Sequence, residues 1–134
     1  MRNQHALTAE DATIIVTAGK AEAMTKGWNI AIVVVDAGGY PIHMERMDGA
    51  PLQAPAIAQG KAFTAAISRT PTKALEEMVK DRPAVVMMPD RLAIQGGVPI
   101  IYEGECIGGI GVSGVKSAED EIVALAGRAA LIGA

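Results

Sequence analysis

The sequence predicts an α+β sandwich, with an antiparallel sheet of about five strands and helices over its faces. Three observations lead there. Residues 30–35 and 41–46 are apolar or alternating runs joined by the short loop Asp36-Ala37-Gly38-Gly39-Tyr40. Residues 98–102 and 105–113 form a second pair around Glu103-Gly104, an acidic residue and a glycine suited to the two φ > 0 positions of a tight hairpin turn. Between and around these pairs lie segments with apolar residues at helical spacing. Strands paired by local turns, rather than alternating singly with helices, disfavour a doubly wound parallel fold.

Taken in order, Thr8-Ala9-Glu10-Asp11 opens the first helix as a capping box with Asp in the usual place of Glu. Ala12, Ile15, Val16, Gly19 and Ala23 then form one apolar stripe, and Lys26-Gly27 closes the helix. Ile30-Ala31-Ile32-Val33-Val34-Val35 is a continuous apolar run, as expected of a central strand buried on both faces. The returning strand, Pro41 to Arg46, has two unlike faces. A small-residue helix is expected from about Gln53 to Ser68, with Lys61 and Thr64 sharing a face. Thr70 is the expected N-cap of a third helix with Pro71 at its first position. Residues 84–88 fit either a strand or an irregular segment. Leu92-Ala93-Ile94 is the fifth expected strand. The last helix begins at Ser117-Ala118-Glu119-Asp120, with Ile122, Leu125, Ala126 and Ala129 as its predicted stripe.

The 134 residues suit one domain, 1–134, and half of them are hydrophobic, enough for a substantial core. Net charge is −3 and no basic stretch exists, which argues against nucleic acid as a partner. No apolar run is long enough to span a membrane. The N-terminal residues lack the apolar core of a signal peptide. With a single cysteine, Cys106, read as a buried small hydrophobe, this leads to the expectation of a reducing cytoplasm. Aromatics are only 3% against 15 glycines and 7 methionines, so backbones must approach closely. That composition points to a homo-oligomer. Glycines at 108, 109, 111 and 114 within or beside one strand call for a helix, a subunit or a ligand lying against it.

Five stretches carry more specific information: Val35-Asp36-Ala37-Gly38-Gly39, Arg46-Met47-Asp48-Gly49-Ala50, Lys61-Ala62-Phe63-Thr64-Ala65, Gly96-Gly97-Val98-Pro99 and Ile107 to Gly114. In this order and spacing the chain resembles the GlcG/HbpS-like haem-binding (haem-degrading domain) family over about residues 7–131. The resemblance implies a profilin-like α/β/α sandwich, homo-oligomeric assembly, and haem or a related tetrapyrrole as ligand, with haem-iron handling in some members. The polar set on those motifs is Asp48, Gly49, Lys61, Thr64, Gly96, Gly97 and Ser113. These residues are the expected ligand-binding site, with Lys61 facing a propionate or small carboxylate, or else pairing with Asp48.

Haem iron takes an axial His, Met, Cys or Tyr. His43 is the metal-ligand candidate, beside Met44 and Met47; its alternative is an ordinary strand residue. His5 precedes the first cap, where an unstructured terminus is the competing reading. The Met44/Met47 and Met87/Met88 pairs read as core or interface filler. Glu119-Asp120-Glu121 reads as a favourable interaction with a helix dipole. No catalytic residue is singled out, since no nucleophile–base set, P-loop or Rossmann fingerprint is present. Three functions follow: a cytoplasmic tetrapyrrole-binding oligomer, an enzyme of catabolism acting on an organic acid through Lys61 and Asp48, or an accessory assembly protein without turnover.

Overall fold

In the computed structural model, which describes residues 1–133, the chain runs α1 (Ala9–Thr25), β1 (Ala31–Asp36), β2 (Pro41–Arg46), α2 (Ala54–Ser68), α3 (Thr72–Asp81), β3 (Gly97–Tyr102), β4 (Glu105–Ser113) and α4 (Ser117–Ile132). The four strands form one antiparallel sheet in the order β2-β1-β4-β3. Each hairpin pairs locally, and β1 joins the two hairpins by pairing with β4, Val34 opposite Ile110.

The sheet has four strands, not five. Leu92-Ala93-Ile94 runs irregularly, because the Leu92 N–H donates to the Thr64 hydroxyl at 2.8 Å and its side chain packs over Gly60 of α2. That segment is bonded to a helix, so its backbone is not available to a strand. Residues Pro83–Met87 form a short 3-10 turn. Pro71 is itself the cap residue of α3 and Thr72 the first helical one, one position later than the sequence suggests. The Thr70 hydroxyl instead donates to the Ser68 carbonyl, closing the turn between helices.

Two apolar layers result. On one face Ile32, Val34, Ile110 and Val112 pack against Ile15, Val16 and Ala23 of α1 and Val123 and Ala124 of α4. On the other, Ala31, Val33 and Val35 meet Ala54, Ala58, Ala62 and Ala66 of α2. The strand glycines are explained here. A Cβ on Gly109 would lie 2.5 Å from the Ala62 carbonyl oxygen, and one on Gly111 the same distance from the Ala62 amide nitrogen. Helix α2 therefore rests on bare backbone, and it is a helix that occupies the space beside the glycine-rich strand.

The stripe predicted for α1 is its buried face. The stripe predicted for α4 is not. Ile122 and Leu125 are 42% and 36% exposed, while Asp120, Val123, Ala124 and Gly127 face inward. Close packing selects that face: Gly127 fits against the Ile15 carbonyl, and Val123 against Gly19 of α1.

The β3–β4 turn has Glu103 at φ 49° and Gly104 at φ 80°, both in the left-handed region. A glutamate there is strained where asparagine is tolerated. Glu103→Asn is expected to raise stability by a few tenths to about 1 kcal/mol, read as a higher urea midpoint. An unchanged or lower midpoint would show that the contact of Glu103 with His5 offsets the strain.

Candidate functional site

The residues expected to form a ligand site divide into two groups. Lys61 is 2% exposed and points inward from α2, past Gly96, which immediately precedes β3. Its Nζ donates to the Val112 carbonyl at 2.9 Å and to Asp120 Oδ2 at 3.1 Å. Asp120 is equally buried, and its other oxygen accepts the Val115 N–H at 3.2 Å. The expected Lys61–Asp48 pair is therefore replaced by Lys61–Asp120, which ties α2, the end of β4 and the start of α4 together. Asp120 belongs to this pair rather than to a solvated helix terminus. Burial pushes its carboxyl above the usual range, against the opposing pull of the Lys61 ammonium.

The neighbouring polar groups serve the same internal purpose. The Gly97 N–H donates to the Thr72 hydroxyl at 2.9 Å, so this amide is taken by a side chain of α3. A Cβ at Gly97 would overlap the Lys61 carbonyl. Gly96 sits at φ 130° and accepts the Val112 N–H. The Thr64 hydroxyl donates to the Gly60 carbonyl at 2.7 Å and accepts from Leu92. Ser113 is buried at the end of β4, opposite Ala31. Periodicity could place Lys61 and Thr64 on one face of α2 but could not say that this face is turned into the protein.

Asp48 and Gly49 lie apart from this cluster. They follow β2, where the turn is closed by the Ala50 N–H donating to the Met47 carbonyl at 3.1 Å. Asp48 lines an open cleft of about 500 Å³ with Lys20, Met24, Gly27, Trp28, Asn29, Glu45, Arg46 and Met47.

Of the two histidines, His43 is half-buried on β2, its Nδ1 3.3 Å from the Thr13 hydroxyl of α1. His5 stands elsewhere, on the N-terminal segment that precedes α1. Its backbone N–H donates to Glu105 Oε2 at 3.2 Å, and its ring nitrogens lie 3.6 and 3.8 Å from Glu103 and Glu105. The imidazole meets the Tyr102 ring edge to face, with centroids 4.9 Å apart. Together His5 and Tyr102 border a cavity of about 230 Å³ lined by Ala6, Leu7, Asp11, Ile107, Leu131 and Ile132. In the sequence alone His5 reads as part of a terminus. The only signal for its position was the acidic pair Glu103 and Glu105, able to hold a histidine once the hairpin forms.

Cys106 is a half-buried free thiol, 3.5 Å from the Ala66 and Gly108 carbonyls. Among the described residues no three His, Cys, Asp or Glu side chains cluster as a metal site, and no helix is long and apolar enough to cross a membrane.

Comparison with known proteins gives a consistent picture. The family model described as "Haem degrading protein HbpS-like" matches residues 7–129. Protein GlcG of Escherichia coli strain K12 is 41% identical over 114 residues, covering 84% of this chain and 85% of GlcG. The crystal structure of a double mutant of Streptomyces reticuli HbpS superposes with a TM-score of 0.92 at 34% identity, covering 98% of this chain and 90% of that one. A crystal structure of a PduOC–heme complex superposes with a TM-score of 0.86 at 27% identity, covering 94% and 95% of the two chains. With its four-stranded antiparallel sheet between helices and a match over nearly its whole length, the chain belongs to the HbpS-like, GlcG-containing family.

Proposed function

We propose that this protein binds haem or a related tetrapyrrole as a homo-oligomeric module, with His5 as the iron-facing residue. The observation carrying the reading is the cavity in which an imidazole and a phenol stand over an apolar floor. Histidine and tyrosine are both axial ligands of haem iron, and the residues present fit the group on that ground. The heme-bound structural neighbour supports the same ligand class.

When bound, haem supplies a redox-active iron at the centre of a large planar apolar surface. The chain's own residues have separate tasks. Glu105 holds the His5 backbone, and Glu103 and Glu105 flank its ring. Tyr102 braces the imidazole from the side. Leu7, Ile107, Leu131 and Ile132 exclude water from the apolar floor. Small-molecule pockets span about 300–1,000 Å³, so a cleft near 230 Å³ embraces part of a macrocycle. A second copy of the chain covers the remainder. Exposed Met78, Val86, Met87, Met88 and Ile94 provide apolar surface for assembly.

Haem titration of the purified protein is expected to give a Soret band that saturates at a fixed haem-to-chain ratio. His5→Ala should shift that band and weaken binding by about tenfold or more. A His5→Ala protein that binds haem with an unchanged band and affinity would place the iron elsewhere, with His43 the next residue to substitute.

A further inference from the structure

The side chains lining the cavity of about 230 Å³ beside His5 are apolar apart from the His5 imidazole, the Tyr102 phenol and the Asp11 carboxylate. Among the described residues no lysine or arginine lines it. The carboxylates gathered there are three. Glu103 and Glu105 flank the His5 ring, and Asp11 stands in the wall itself, its Oδ2 accepting the Thr8 N–H at 2.9 Å.

Two helix ends meet at this cavity, and neither offers a place for an anion. The first turn of α1 would be the natural one, since helix N-termini attract negative charge. The Thr8 and Asp11 N–H groups there are already bonded within the capping box, and Glu10 and Asp11 supply the negative charge that the dipole favours. Leu131 and Ile132 lie in the last turn of α4, where the carbonyl end carries partial negative charge and no basic residue is present. The basic residues closest in sequence to the lining ones are engaged elsewhere. Arg128, one helical turn before Leu131 and Ile132, donates through Nη1 to the Pro99 carbonyl at 3.0 Å and lines a groove with Pro71 and Lys73. Arg2 lines a different cleft, with Ala66 and Cys106.

A carboxylate entering the cavity would lose water without gaining a cation, an unfavourable transfer. Haem carries its propionates on adjacent pyrrole rings and leaves the opposite edge with methyl and vinyl groups only. We propose, on the reading that this cavity holds a tetrapyrrole, that it takes the macrocycle by its uncharged edge and leaves the carboxylates outside. Leu7, Ile107, Leu131 and Ile132 receive the methyl and vinyl groups. Asp11, Glu103 and Glu105 keep carboxylates away from the inner wall, a repulsive element that sets specificity. The ligand class is therefore defined by one carboxylate-free edge. Propionates are not required, and tetrapyrroles with carboxylates on every ring are rejected.

The test titrates the purified protein with ferric haem, with haem dimethyl ester and with iron uroporphyrin, following the Soret band. Haem and its dimethyl ester are expected to saturate with the same band and with affinities within about threefold, because no contact to the propionates is lost. Iron uroporphyrin, which carries carboxylates on every ring, is expected to bind weaker by about a hundredfold or more. Raising the ionic strength should not weaken haem binding, as it would if propionates were held by surface cations. Asp11→Asn, checked for its fold by circular dichroism, should narrow the gap between haem and iron uroporphyrin. A dimethyl ester that binds tenfold weaker than haem, or iron uroporphyrin that binds as tightly, would overturn the proposal while leaving the haem reading in place. A gap unchanged by Asp11→Asn in a folded protein would do the same. No saturable Soret band with haem itself would remove both.

Discussion

Gly111→Ala is expected to unfold the protein or lower its stability by about 3 kcal/mol or more, out of the roughly 5–15 kcal/mol a domain has. The added methyl would overlap the Ala58 carbonyl oxygen of α2 and lie 2.5 Å from the Ala62 amide nitrogen. Both are backbone atoms, so no rotamer change relieves the clash. Helix α2 would have to lift away, breaking the contacts of Ala54, Ala58, Ala62 and Ala66 with Ala31, Val33 and Val35. Gly104→Ala makes the instructive comparison. Its φ of 80° is unfavourable for alanine, but nothing lies within 4 Å of the new Cβ, so the cost is only about 1–2 kcal/mol. Urea denaturation of the two variants checks the difference. A Gly111→Ala protein as stable as Gly104→Ala would show that α2 is not held against β4 as closely as described.

Lys61→Met is the second large effect. It leaves the Asp120 carboxylate buried without its cation, a change that costs about 3–5 kcal/mol when one partner of a buried pair is removed. Replacing both residues, Lys61→Met with Asp120→Leu, should recover much of the loss, because neither charge then needs to be buried. The pH dependence has a definite sign. In the wild type, burial holds the Asp120 pKa above its ordinary value, so the folded protein binds this proton more readily than the unfolded chain. Its contribution is fully present below the unfolded-state pKa and is lost as pH rises through the folded one. Without Lys61 the carboxyl loses its main stabilising charge and its pKa rises further. The deficit of Lys61→Met relative to wild type should consequently shrink between neutral and mildly acidic pH. A deficit that stays constant or grows on acidification would contradict the assignment of Asp120 as the partner. Retained haem binding in a folded Lys61→Met protein would agree with its internal position.

The individual elements were largely legible. The α1 stripe of Ala12, Ile15, Val16, Gly19 and Ala23 is the observed buried face, and Glu103-Gly104 forms the expected hairpin turn. Each of these depends on residues near one another in the chain. The α4 stripe was misread because Ile122 and Leu125 are its more apolar residues, whereas the face that turns inward is chosen by fit to α1 and by the Asp120–Lys61 pair. Leu92-Ala93-Ile94 has strand-like residues, but a hydrogen bond to Thr64, 28 positions away, determines its path.

The candidate site followed the same division. Local sequence identified Arg46-Met47-Asp48-Gly49, the Gly96-Gly97 loop and Lys61 as chemically distinctive, and it determined the family and the two hairpins from turn chemistry and periodicity. It did not establish that Lys61 and Asp120, 59 residues apart, share a buried bond, or that Asp48 lies at another cleft. Nor did it bring His5 to Tyr102, which requires the hairpin to fold before Glu105 can hold the N-terminal segment. Only the tertiary structure decided which charged groups were buried as partners and which stayed at the surface. The physical reason is that desolvation and pairing depend on distances between remote residues, while periodicity and turn propensity depend on neighbours in the chain.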